Sequence, residues 1–154
     1  MGVGATLPDA ELLDPHGATT SLYAALGSRL SVLVFYRGAS CPYSNIAISP
    51  QTPDGSLSTV EKNDLTFSVL SDPGNQAAKA AVLTAPSDEA RAAQLQLGLD
   101  LPAVNADGTA GLPMPTTIIV DAERVVRWID VHLDYTTRSE PGEILTALDA
   151  AAPR

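Results

Sequence analysis

The chain has 154 residues, 45% of them hydrophobic, with 18 acidic against 9 basic side chains and a net charge of −9. It is long enough for one domain with a real core, and too acidic for binding driven by phosphate contacts or by an anionic membrane surface. Its apolar runs fall far short of the roughly 20 residues a membrane span needs, and its single cysteine excludes an internal disulfide.

Residues 7–20 alternate in the manner of a short hairpin with its turn at 15–17. Ser21 is placed to cap a short helix over 22–26, which Gly27 ends. Residues 30–36 are almost all apolar and rich in Val and Phe, the pattern of a strand buried on both faces. A second, shorter apolar run covers 46–49, and 50–55 reads as loop. Ser58 with Glu61 makes a capping box for a helix over 56–64. A strand over 67–70 stops at Ser71-Asp-Pro-Gly74, and the alanine-rich stretch 76–83 predicts a helix. Residues 86–111 are the least regular, with a helix over 88–97 ended by Gly98. Two β-branched runs, 116–120 and 124–131, form a hairpin through Asp121-Ala-Glu123. Pro141 opens a last helix that reaches about Ala151.

The chemistry concentrates at Cys41. An apolar strand runs into a turn broken by Gly38, and the turn delivers Cys41-Pro42. A free cysteine is most often an inert buried hydrophobe, but this placement favours a reactive thiol. Arg37 is the nearest cation in sequence and is suited to favour a thiolate. Tyr43 and Ser44 are potential hydrogen-bond donors beside it. His16 and His132 are far apart and have no companions at ligand spacing, so neither a metal nor another cofactor is expected. Trp128 and Tyr135 read as packing residues. No glycine-rich phosphate loop or Gly-x-Ser-x-Gly nucleophile motif occurs. The first residues lack the basic start and apolar stretch of a signal peptide. With one cysteine, that predicts a reducing, cytoplasmic setting.

Five stretches carry a resemblance. They are Phe35-Tyr-Arg-Gly38 with Cys41-Pro42-Tyr43, Ala47-Ile-Ser-Pro-Gln51, Leu70-Ser-Asp-Pro73, Leu112-Pro-Met-Pro-Thr-Thr-Ile-Ile-Val-Asp121 and Asp134-Tyr-Thr-Thr-Arg138. Together they resemble the AhpC/TSA branch of the peroxiredoxin-like proteins, in the family's order and across nearly the whole chain. The resemblance implies a single α/β thioredoxin-like domain over 1–154, a central mixed sheet flanked by helices. It implies a thiol-dependent peroxidase with Cys41 as nucleophile and Arg37 as electrostatic helper. Pro42, Tyr43, Ser44, Met114, Pro115 and Thr116 would line the substrate pocket, with the Met114–Pro115 bond cis. The partners it implies are a hydroperoxide substrate, an external thiol reductant of the thioredoxin or glutathione type, and a second copy of the chain in a homodimer. Nucleic acid and membrane are not among them.

The sequence departs from the family in four places. Ser44 stands where relatives usually have a second cysteine. Val34 and Gly38 stand where peroxiredoxins typically have Pro and Thr, seven and three residues before the peroxidatic cysteine. No arginine adjoins Pro115. Finally, only residues 42–45 separate Cys41 from the 46–49 run, which leaves no room for the family's helix after the cysteine. A parallel crossover generally takes a dozen residues or more. Either that helix is deleted, or the 46–49 run does not pair with the 30–36 strand. Two further readings stand beside the peroxidase. Cys41-Pro-Tyr-Ser44 is similar to a monothiol glutaredoxin site, which implies mixed-disulfide exchange. The missing helix and threonine suit a non-catalytic thioredoxin-fold protein.

Overall fold

The structure is a computed structural model that describes residues 1–36, 46–53, 56, 60–61, 66–80, 83–84, 87–96, 98, 100–134 and 136–152. The apolar run around residue 33 becomes β3, Ser31–Phe35, with all five residues buried. The β-branched run after Pro115 becomes β8, Thr116–Val120, again buried throughout. The two pair antiparallel, with Phe35 opposite Thr116 and Ser31 opposite Val120. On its other side β3 pairs in parallel with β4, Ile46–Ser49, which pairs in parallel with β5, Ser68–Ser71. The hairpin of β1, Glu11–Leu13, and β2, Thr19–Ser21, adds to β5. The outgoing strand β9, Val126–Val131, adds to β8. The seven-stranded order is β2-β1-β5-β4-β3-β8-β9, a mixed thioredoxin-like sheet as the sequence implied.

Strand alternation sends side chains to two cores. Leu33, Phe35, Ile46, Ile48, Leu70, Ile118 and Val120 meet Leu22 and Leu26 of helix α1, Leu22–Leu26. Val32, Val34, Tyr36, Ala47, Val69 and Ile119 meet Ile144 of the last helix. Local chemistry bounds both helices. Ser21 Oγ accepts the Ala24 N–H at 3.0 Å at the start of α1, and Gly27 ends it with φ +65°. Before the last helix, the Glu140 N–H donates to Glu143 Oε2 at 2.9 Å, and Pro141 takes the first turn.

The 46–49 run does pair with β3, so the alternative in which it does not is set aside. Residues 36–45 make the whole connection. A short connection is geometrically feasible because Ile46 enters beside Leu33, only two residues back from Phe35. The return path is about 7 Å along the strand at the usual rise per residue.

The middle of the chain differs from its local signals. Within the expected 56–64 helix, Ser56 and residues 60 and 61 are helical, and so is Pro53, in the stretch read as loop. Ser58 itself lies outside the described residues. The alanine-rich stretch gives only a 3-10 turn at Ala78–Ala80, followed by β6, Leu83–Thr84, which pairs with β7, Leu112–Pro113. Helix propensity is a weak prior; here Asp72 captures the Gln76 and Ala78 N–H groups at 2.7 and 3.0 Å and sets the local path. The helix expected over 88–97 is α2, Asp88–Gln96, with Gly98 at φ +78° beyond it. A short helix α3, Leu101–Val104, follows; the terminal helix α4 is Pro141–Ala151.

At the outer end of the sheet the N-terminal segment runs along the start of β9. The Gly4 N–H donates to the Val126 carbonyl and the Val126 N–H to the Ala5 carbonyl, at 2.8 and 2.9 Å.

Ile144 is 0% exposed and carries the α4 side of its core. Ile144→Ala is expected to lower the unfolding free energy by about 2–4 kcal/mol with an unchanged urea slope. Leu145→Ala, one residue on and 47% exposed, is expected to change it by less than about 0.5 kcal/mol.

Candidate active site

The parallel strands β3, β4 and β5 all end at one edge of the sheet. In open α/β sheets this edge is where ligands bind. β8 runs the other way, so its first residue arrives at the same edge. Thr116 lies opposite Phe35 on one side and Val131 on the other. Met114, Pro115 and Thr116 are all buried there, beside the exit of β3. Thr116 Oγ1 donates to the Met114 carbonyl at 2.9 Å, and the His132 N–H donates to the Pro115 carbonyl at 2.9 Å. Of the sequence-predicted pocket, these three consecutive residues are the ones the structure describes. Arg37, Cys41, Pro42, Tyr43 and Ser44 lie outside the described residues.

One expectation is corrected. No peptide bond among the described residues is cis, so Met114–Pro115 is trans. That is the ordinary form of an X–Pro bond, favoured by about 0.5–1 kcal/mol before tertiary contacts act.

Several polar groups at this edge escaped sequence reasoning. Asp72, directly after β5, is 1% exposed. Its N–H donates to the Ser49 carbonyl at 2.8 Å, tying the ends of β4 and β5 together. Burial pushes the Asp72 carboxyl above its ordinary pKa, against the pull of the backbone N–H groups it accepts and of Lys79. Beside it, the hydroxyls of Ser56 and Ser71 lie 2.8 Å apart. The segment from 100 to 111 closes over the same region. Asn75 and Asn105 both donate side-chain N–H groups to the Gly111 carbonyl, at 3.3 and 3.0 Å. The Thr52 N–H donates to the Val104 carbonyl at 3.2 Å and the Ala106 N–H to the Pro50 carbonyl at 2.9 Å. The sequence signals here were Ser71-Asp-Pro-Gly74, which reads locally as a strand stop, and the overlapping Leu70-Ser-Asp-Pro73, which carried family resemblance but no stated role.

This edge, with a buried Met-Pro-Thr segment against the exit of the central strand, prompts comparison with known proteins. The family model described as Redoxin matches residues 2–148. The chain belongs to the redoxin family. Solved structures agree in fold with this redoxin. The peroxidoxin BcpB of Mycobacterium tuberculosis superposes with a TM-score of 0.71 at 20% identity, over 99% of each chain. Reduced Prx3 of Vibrio vulnificus, solved in complex with hydrogen peroxide, gives 0.71 at 16% identity, over 96% of this chain and 99% of that one. Peroxiredoxin 5 of Alvinella pompejana gives 0.64 at 15% identity, over 97% and 99%. The fold is thus the peroxiredoxin form of the thioredoxin-like sheet. A search of curated proteins finds no match. Among the described residues no helix is long and apolar enough to cross a membrane.

Asp72 gives this site a pH signature. Because its pKa is raised in the folded protein, its contribution to stability is full below the unfolded carboxylate range and is lost as pH rises through the folded value. As pH rises above the ordinary carboxylate range, about pH 4, the stability of Asp72→Asn measured by urea unfolding is expected to fall less than that of the wild type. Asp72→Ala, which leaves the Gln76 and Ala78 N–H groups without their acceptor, is expected to cost about 1–3 kcal/mol near pH 4 and less as pH rises.

Proposed function

We propose that this redoxin is a single-domain, thiol-dependent peroxidase that works through one cysteine, Cys41. The observation that carries the reading is the redoxin match across residues 2–148, in a chain whose one thiol belongs to the connection leaving β3. The Cys41 thiolate attacks one peroxide oxygen and breaks the O–O bond. The sulfur becomes a sulfenic acid, and the other oxygen leaves as alcohol or water after taking a proton. With no second cysteine in the chain, an external thiol condenses with the sulfenic acid, releasing water and forming a mixed disulfide. A second external thiol then displaces Cys41 and leaves as the disulfide. The two electrons that reduce the peroxide therefore come from two molecules of monothiol or one dithiol of the thioredoxin type.

In this reading Arg37 stabilises the thiolate and the developing charge on the peroxide. Pro42, Tyr43 and Ser44 form the near wall of the pocket, and Met114, Pro115 and Thr116 form the far wall. What supports the far wall is the register that sets Thr116 against Phe35. The lone cysteine favours a reducing compartment such as the cytoplasm, and the same reading carries a homodimer, which sedimentation velocity tests.

The decisive measurement follows Cys41 by mass spectrometry in reduced protein given one equivalent of hydrogen peroxide and a sulfenic-acid trap. One adduct at Cys41 is expected, forming at least about 100-fold faster than on free cysteine, and none on Cys41→Ser. A rate equal to free cysteine sinks the peroxidase. Reaction faster with glutathione disulfide than with peroxide would reassign the site to mixed-disulfide exchange.

A further inference from the structure

A chain of polar side chains runs along the end of β9, outside the pocket residues named so far. Thr117 and Asp130 are directly opposed across β8 and β9. Thr117 also faces Val34 of β3, which belongs to the core that α4 covers. Ser139, two residues ahead of α4 and buried, lies over this pair. Its hydroxyl donates to Asp130 Oδ2 at 2.7 Å and is 3.0 Å from Thr117 Oγ1. The same carboxylate oxygen is 2.7 Å from His132 Nε2. A carboxylate oxygen only accepts, so Nε2 carries a proton. His132 Nδ1 lies 2.7 Å from Thr137 Oγ1, which donates to the Asp134 carbonyl at 2.9 Å.

These contacts hold a segment that has no apolar anchor among its described residues. The side chains of 133, 134 and 136–138 are exposed, Leu133 at 77%. Yet His132 has a main-chain duty: its N–H is the donor to the Pro115 carbonyl. Pro115 has no N–H to give in return, so among the described residues the ladder beyond the Thr116–Val131 pair is a single hydrogen bond. A lone bond at the end of an outer strand is where a sheet frays first. The imidazole, fastened on both nitrogens, is what keeps that donor aimed.

We propose that Asp130, His132 and Ser139 are positioning residues that hold the Pro115 carbonyl, and with it the Met114–Thr116 wall, at the sheet edge. The inference rests on the peroxidase reading for its effect on catalysis, but the clasp itself is measurable without it. Charged groups on the segment are Asp130, Asp134, Arg138 and Glu140; β8 brings only the neutral Thr117 to the cluster.

The test compares the full-length wild type with Asp130→Ala, Ser139→Ala and Ser139→Thr. Two readouts are taken: amide hydrogen exchange by NMR, and the rate constant for Cys41 with hydrogen peroxide. His16→Gln, at the turn between β1 and β2, serves as the unaffected control. In both alanine variants, exchange at the His132 amide is expected to rise about tenfold or more while Ile118 and Ile119 keep their protection. The peroxide rate constant is expected to fall roughly three- to tenfold, and Ser139→Thr, which keeps the hydroxyl, to restore both. A uniform rise in exchange across β8, or no rise at residue 132, overturns the clasp. Selective exchange with an unchanged peroxide rate overturns its link to the site. A wild-type Cys41 that ignores peroxide overturns the peroxidase reading instead, and leaves the exchange data to judge the clasp.

Discussion

The arrangement depends on β3 being buried between a parallel neighbour and an antiparallel one. Five consecutive buried residues pair on one side with β4 and on the other with β8. The parallel side delivers the ends of three strands to one edge. The antiparallel side brings the start of β8, and the Met-Pro-Thr segment before it, to the same place. It is the antiparallel sense of the β3–β8 pair that puts residues 36 and 115 together across nearly eighty positions; a parallel β8 would enter at the opposite end of β3. Hydrophobic burial on both faces makes the register costly to change. A slip of one residue would turn every core side chain of β3 to the opposite face.

Much of this was legible because the signals were local. The run around residue 33, the hairpin through 121–123, the cap at Ser21 and the helix start at Pro141 are written in neighbouring residues. The middle of the chain was not, because its path is set by long-range contacts. Asp72 diverts the alanine-rich stretch, and the carbonyl of Gly111 gathers Asn75 and Asn105 from different segments. No window of ten residues contains that information. The nucleophile candidate stood out in the sequence because strand, glycine and proline flank it. The groups on β9 did not: His132 read as a solitary histidine, and its partners Asp130, Thr137 and Ser139 become a unit only once β9 turns towards α4. The expected cis bond at Pro115 came from family resemblance alone, with no local signal behind it, and the bond is trans.

The departures from the family pattern bear on chemistry more than on fold. Superposition over 96–99% of this chain with TM-scores of 0.64–0.71 survives at 15–20% identity, because strand burial and alternation tolerate many apolar exchanges. A replaced thiol has no such tolerance. In the proposed peroxidase cycle, with Ser44 in place of a partner cysteine, electrons arrive from outside, and access to the carboxyl edge of the sheet governs that cycle as much as the thiol's own reactivity. The short connection between β3 and β4 concentrates that demand on few residues.

The outer rim of the sheet has a separate consequence. A six-residue border strand with free N–H and C=O groups invites a neighbouring chain to add itself and keep adding. Here the first turn of that border is already taken by the chain's own beginning, through Gly4 and Ala5 against Val126, and Arg127 on the same strand is paired with Asp121. Residues 4 and 5 thus occupy the start of that strand's open side and leave less of it for a neighbouring chain to pair with.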